Sequence, residues 1–160
     1  MAEGWACYAT ELMGEVGFLT PLEQLALGHV RLRMAARALV DVRLHHSAWT
    51  LDEAVVFYRA RVGMSEMAAR AEAVKNSLFP ATALMYLMGT DAIHRLRREL
   101  AQRPGFQLAT FHDRLLSCGS IPVSHAATLL RITARSDAEP DTLSRPVGAE
   151  RRWPETGCAS

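Results

Sequence analysis

Arg33, Arg37, Asp41 and His45 have the most chemical promise in this sequence, spaced four apart in a stretch free of proline. On a helix they form one slowly drifting stripe. Arg37 can pair with Asp41, and Asp41 with His45. A solvated face laced by salt bridges is the plainer account of such a stripe. Leu39, Val40, Leu44 and Trp49 surround it with apolar side chains, however, and imply partial burial. There an aspartate orients a histidine by accepting its ring N–H. Glu3 and Cys7 share a second helical face, which Glu11 and Glu15 continue. An acid in a first helical turn ordinarily complements the helix dipole.

Other chemistries lack their residues. None of the six histidines is followed by glutamate, so no HExxH is present. His45 and His46 point to different faces of a helix and do not chelate together. His112, in Phe111-His112-Asp113, reads as a helix-surface or capping residue. There is no GxSxG, no glycine-rich phosphate loop and no evidently activated cysteine. Local spacing alone assembles no complete zinc site. The cysteines, at 7, 118 and 158, are odd in number and form no CxxC, which suggests a reducing compartment with Cys7 and Cys118 as small core residues.

Charge excludes further classes. Eighteen basic and 17 acidic side chains leave a net charge of +1, so no overall field draws the chain to nucleic acid. Arg95-Leu96-Arg97-Arg98 is a basic cluster, but Glu99 follows it, and it reads as a solvated helix face. No basic, apolar leader is visible before Trp5. The longest apolar stretch, residues 78–89, is interrupted by Pro80 and Thr82 and is too short to span a bilayer. The expectation is a cytoplasmic chain with no membrane and no nucleic-acid partner.

The elements that must position these residues are all helical. Trp5, Tyr8, Leu12 and Val16 recur at helical spacing, with Gly17 as the stop. Thr20-Pro21-Leu22-Glu23 is a capping box that opens a helix reaching about His45. Thr50-Leu51-Asp52-Glu53 is a second box, for a helix ending at Gly63. Ser65 caps a helix from Glu66 to about Ser77. Pro80 starts a long helix through Tyr86 to Leu100, and Arg103-Pro104-Gly105 breaks it. Leu108 to Ser117 is a short helix, and Pro122 opens the last. No sustained period-two run suggests a strand. The fold class is all-α, an irregular assembly of six to seven helices over residues 1–135. Residues 136–160, with Pro140, Pro146 and Pro154 and few aliphatics, read as a disordered tail in which Trp153 is the one candidate anchor.

Taken together, several short blocks resemble the C-terminal portion of the bacterial "domain of unknown function 885" family, which looks like a group of helical zinc metallopeptidases of the gluzincin type. The blocks are Glu3-Gly4-Trp5-Ala6-Cys7-Tyr8-Ala9, Arg37 through His45, Trp49-Thr50 with Glu53-Ala54, Pro80 with Ala83-Leu84 and Tyr86 through Gly89, Phe111-His112-Asp113, and Gly119 through Pro122. They occur in family order over roughly residues 3–130. The resemblance implies that Glu3 is a zinc ligand and that Arg37 and Asp41 orient ligands or substrate. It implies that His45 and Tyr86 donate to a substrate carbonyl. Hydrolysis at zinc builds negative charge on that oxygen, which a positioned donor stabilises. The implied cofactor is zinc and the implied substrate is peptide-like.

Departures from the family qualify this. Family members carry an HExxPGH-type segment upstream, with two histidine ligands and the general base. This chain starts two residues before Glu3. A Pro-Gly-Gln block is Pro80-Ala81-Thr82 here, an Arg-Tyr pair is Lys75-Asn76, and Thr10 replaces a frequent acid. The expectation is a C-terminal fragment, inactive alone and completed by an N-terminal segment in cis or in trans. The alternative is a non-catalytic helical module. Either would self-associate through apolar faces left uncovered.

Overall fold

Local capping signals set most of the element boundaries. The structure, a computed structural model, describes residues 1–136. Its elements are α1 (Ala2–Glu15), α2 (Pro21–His45), α3 (Leu51–Val62), α4 (Glu66–Leu78), α5 (Thr82–Leu100), α6 (Leu108–Ser117) and α7 (Val123–Ser136). Among the described residues there is no strand, and the fold is all-α. The proposed disordered tail and Trp153 lie outside the described residues, as does Cys158.

Both capping boxes form. Thr20 accepts from the Glu23 amide while the Glu23 carboxylate accepts from the Thr20 amide, and Thr50 and Glu53 do the same. Ser65 caps α4 by accepting from Ala68. Gly63 ends α3 in the left-handed conformation that closes a helix C-terminus.

The start of α5 departs from expectation. Pro80 does not open the helix. Ala81 precedes it with φ +63°, a conformation costly for a residue with a Cβ. No side chain of that segment caps the helix. Its free amides are met instead from α2, across the fold.

Two cores share the molecule. Tyr8, Ile93, Leu96, Phe111, Leu115 and Ala126 join α1, α5, α6 and α7. Val40, Val55, Tyr58, Val62, Ala69 and Ala73 join α2, α3 and α4. Helix α5 packs on α1, α2 and α7 and so connects the two. Only the second half of α2 enters a core; its buried residues run from Ala36 to Asp41. Among the described residues, no helix is long and apolar enough to cross a membrane.

Candidate functional site

Asp41 is the pivot of the stripe on α2. It is 2% exposed. Its Oδ1 accepts from the Ala81 amide at 3.0 Å and its Oδ2 from the Ala83 amide at 3.1 Å. A carboxylate from one helix thus caps the N-terminus of another, where free N–H groups and the helix dipole favour negative charge. His45 Nδ1 donates to Asp41 Oδ1 at 2.9 Å and lies 2.8 Å from the Asp41 carbonyl. The Asp41 carbonyl first, and its carboxylate with it, holds the His45 imidazole more basic than usual. With Nδ1 protonated, the neutral ring keeps its lone pair on Nε2.

Arg37 does not pair with Asp41 as the spacing suggests. It is buried, and its Nε meets Glu72 Oε1 of α4 at 2.8 Å. This is an ion pair without hydrogen-bond alignment, and neither atom has another partner. Arg33 reaches the other oxygen of Glu72. Asn76, one turn beyond Glu72, donates to the Arg37 carbonyl at 3.0 Å and to the Tyr58 hydroxyl at 2.8 Å. Burial above all, then Glu72, pushes the Tyr58 phenol far up. The reason Arg37 turns from Asp41 is geometric: α5 claims both oxygens of Asp41, and α4 brings another carboxylate.

Glu3 and Tyr86 meet across the α1–α5 contact. The half-buried Tyr86 hydroxyl lies against the Glu3 carboxylate; burial first, and Glu3 next, raises its pKa, so it stays a protonated donor. The Arg37 guanidinium sits over the same ring, 5.3 Å from its centroid. The two helices touch backbone to backbone here. A Cβ on Gly4 would stand 2.5 Å from the Gly89 backbone, and Thr90 donates to the Gly4 carbonyl at 3.2 Å. Glu3, Tyr86 and Arg37 therefore form one contact series. His45 joins it only through the first turn of α5, held by Asp41.

A cleft of about 810 Å³ opens between α1, α2 and α5. Of the five residues to which the family resemblance gave roles (Glu3, Arg37, Asp41, His45 and Tyr86), Tyr86 lines it. Glu11 on its wall receives Arg31 at 3.1 Å and His94 at 2.7 Å. Cys7 also lines it and is half-buried, as Cys118 is elsewhere, so neither is the fully packed core residue expected. Burial above all pushes the Cys7 thiol's pKa up, which makes it a poor nucleophile.

His112 also corrects the sequence reading. It is not a surface or capping residue but packs edge-on against Trp5 and Tyr8. The fully buried Tyr8 shares a hydrogen bond between its hydroxyl and His112 Nε2 at 2.8 Å, and Arg97 donates to the Tyr8 oxygen at 3.4 Å. Burial first, then Arg97, holds His112 less basic than usual and keeps it neutral. Arg97 is in turn held by Glu15 at 2.7 Å. Glu72, Asn76, Tyr58 and Tyr8 escaped the sequence reading as functional candidates. Ala69, Glu72, Ala73 and Asn76 do share one helical stripe, and polar residues at core positions were the available signal.

Glu3, Tyr8, Arg37, Asp41, His45, Tyr86 and His112 fall on the blocks that carried the family resemblance, and a family model for a bacterial protein of unknown function, DUF885, matches residues 1–130. The chain belongs to the DUF885 family. The crystal structure of a "putative lipoprotein" from Colwellia psychrerythraea matches 86% of this DUF885 chain at a TM-score of 0.77 and 30% sequence identity. This chain covers 24% of that one, so it spans about a quarter of its length. No curated protein matches.

Proposed function

We propose that this DUF885 chain is a metallopeptidase-like helical segment that contributes Glu3 and Tyr86 to a zinc-dependent site and does not hydrolyse peptides by itself. The observation that carries the reading is the meeting of Glu3 with Tyr86 over the Arg37 guanidinium. It joins a carboxylate, a protonated phenol and a buried cation drawn from three helices.

The donor set is too small for the metal. A catalytic zinc takes three protein ligands. Among the described residues, no three His, Cys, Asp or Glu side chains gather. The residues present do not by themselves fit the ion. What the chain itself does is positional. Asp41 holds the first turn of α5, and Tyr86 projects from the next turn. Arg37 fixes the ring from below, and Glu3 takes the hydroxyl. His45, anchored through Nδ1, keeps Nε2 for a proton or a substrate oxygen. A peptide-like amide is the substrate class that such donors suit once the remaining ligands are supplied.

The test uses the purified 160-residue chain, zinc analysis by mass spectrometry and a quenched peptide library. The expected result is substoichiometric zinc and no chelator-sensitive hydrolysis, unchanged by Glu3→Gln. Chelator-sensitive hydrolysis by this chain alone, lost in Glu3→Gln, would overturn the reading.

The second reading is a non-catalytic helical interaction module. The observation favouring it is the uncovered first half of α2, where Leu22 and Leu25 are 76% and 72% exposed.

A further inference from the structure

The first half of α2 is apolar on opposite faces. Leu22, Leu25 and Leu32 lie along one side, all exposed. By helical periodicity Leu27, Val30 and Met34 lie along the other, and they line the cleft toward α1 and α5. Glu23, Gln24, His29, Arg31 and Arg33 interrupt these faces, but a helix with an apolar stripe on each of two sides can bury both only when it is covered on both. This half is no frayed end: Pro21 and the Thr20–Glu23 capping box hold its first turn. From α1, Arg31–Glu11 tethers it at 3.1 Å.

We propose that this half of α2, with the cleft beside it, is the packing surface for amphipathic helices from the part of a family-length chain outside the region matched here. The occupant follows from length: this chain covers 24% of its structural neighbour, and three quarters of that protein must pack against something. A groove between helices with an apolar floor receives a helix through residues at i, i+3 and i+7. Charge adds a constraint. Glu11 is paired with Arg31 and His94, and Asp91 with Arg95 at 2.7 Å. Among the described residues, Arg98 is the cleft cation without an ion pair, so the incoming helix carries an acid at that end. The inference concerns packing and stands apart from the zinc-site reading.

The test places a photo-crosslinking phenylalanine analogue at Leu25 and Met88, in the full chain made in its native cells. Val56, 63% exposed on α3, is the control position. Leu25 and Met88 are themselves exposed, so the replacements do not disturb a core. The expected result is crosslinking at both positions severalfold above Val56. The crosslinked peptides, identified by mass spectrometry, come from DUF885 sequence outside the matched region, in the same chain or a second one. Arg98→Glu lowers the Met88 yield severalfold. Crosslinking to a second copy of residues 1–136, or to a polypeptide outside the family, overturns the proposal. So do yields at Leu25 and Met88 no higher than at Val56.

Discussion

Gly4 and Gly89 touch backbone to backbone: a Cβ on Gly4 would stand 2.5 Å from the carbonyl carbon and Cα of Gly89. This contact sets the distance between α1 and α5, and with it the meeting of Glu3 and Tyr86. No flexible side chain is available to yield. Gly4→Ala should therefore cost about 3 kcal/mol, at the upper end for overpacking, and lower the melting temperature by roughly 10 °C. Gly28, in the exposed half of α2, has nothing within 4 Å of the corresponding position. Gly28→Ala should stabilise the chain by about 0.5–1 kcal/mol through helix propensity. Equal losses at the two glycines in calorimetry would sink this account.

Asp41 does the work of a helix cap from a distance. Asp41→Ala leaves the amides of Ala81 and Ala83 without their acceptor and frees His45. Because these groups are mostly buried, the expected loss is about 3 kcal/mol. The ordinary local cap Thr50→Ala should lose about 1 kcal/mol. Urea denaturation of the two variants side by side checks the ratio. Indistinguishable midpoints would mean that Asp41 is not the cap of α5.

The Arg37–Glu72 pair predicts non-additivity. Arg37→Met leaves Glu72 buried with only the half-exposed Arg33 beside it, and breaking such a pair costs about 3 kcal/mol. The double variant Arg37→Met with Glu72→Met should recover most of that loss, since neither charge is then buried without its partner. A double variant as unstable as the sum of the singles would contradict the pairing.

His112 gives a pH dependence of definite sign. Its folded-state basicity is depressed, so the unfolded chain binds the proton more readily. Stability from His112 is then complete above the ordinary imidazole value of 6.5 and is lost as pH falls below it. His45 acts oppositely, because its basicity is raised: its contribution is complete below 6.5 and fades as pH rises through the folded value. His112→Gln keeps a hydrogen-bond partner for Tyr8, as donor or acceptor, but no titration. From pH 7 to pH 5 the wild-type urea midpoint should fall further than that of His112→Gln. A larger fall in the variant would reverse the assignment.

Helix positions were legible because their signals are local. Thr20 with Glu23, Thr50 with Glu53, and Ser65 with Ala68 each close a hydrogen bond within a few residues, so spacing alone reveals them. The Asp41–His45 bond, one helical turn long, was legible for the same reason. The choice between partners was not. Whether Arg37 binds Asp41 or Glu72 depends on α4 docking against α2. Whether Asp41 serves a neighbour on its own helix or the amides of Ala81 and Ala83 depends on where α5 starts.

Sequence spacing thus reached the all-α class, the caps and the stripe from Arg33 to His45, and the family resemblance added Glu3 and Tyr86. The packing of helices distant in the chain assigned those residues their partners. It joined Glu3 to Tyr86, placed Arg37 over that ring and packed the half-buried His112 against Tyr8. The physical reason is range: a cap or an i,i+4 pair is fixed by one turn of backbone geometry. A contact between helices depends on how whole faces pack, down to two glycines that let α1 and α5 touch.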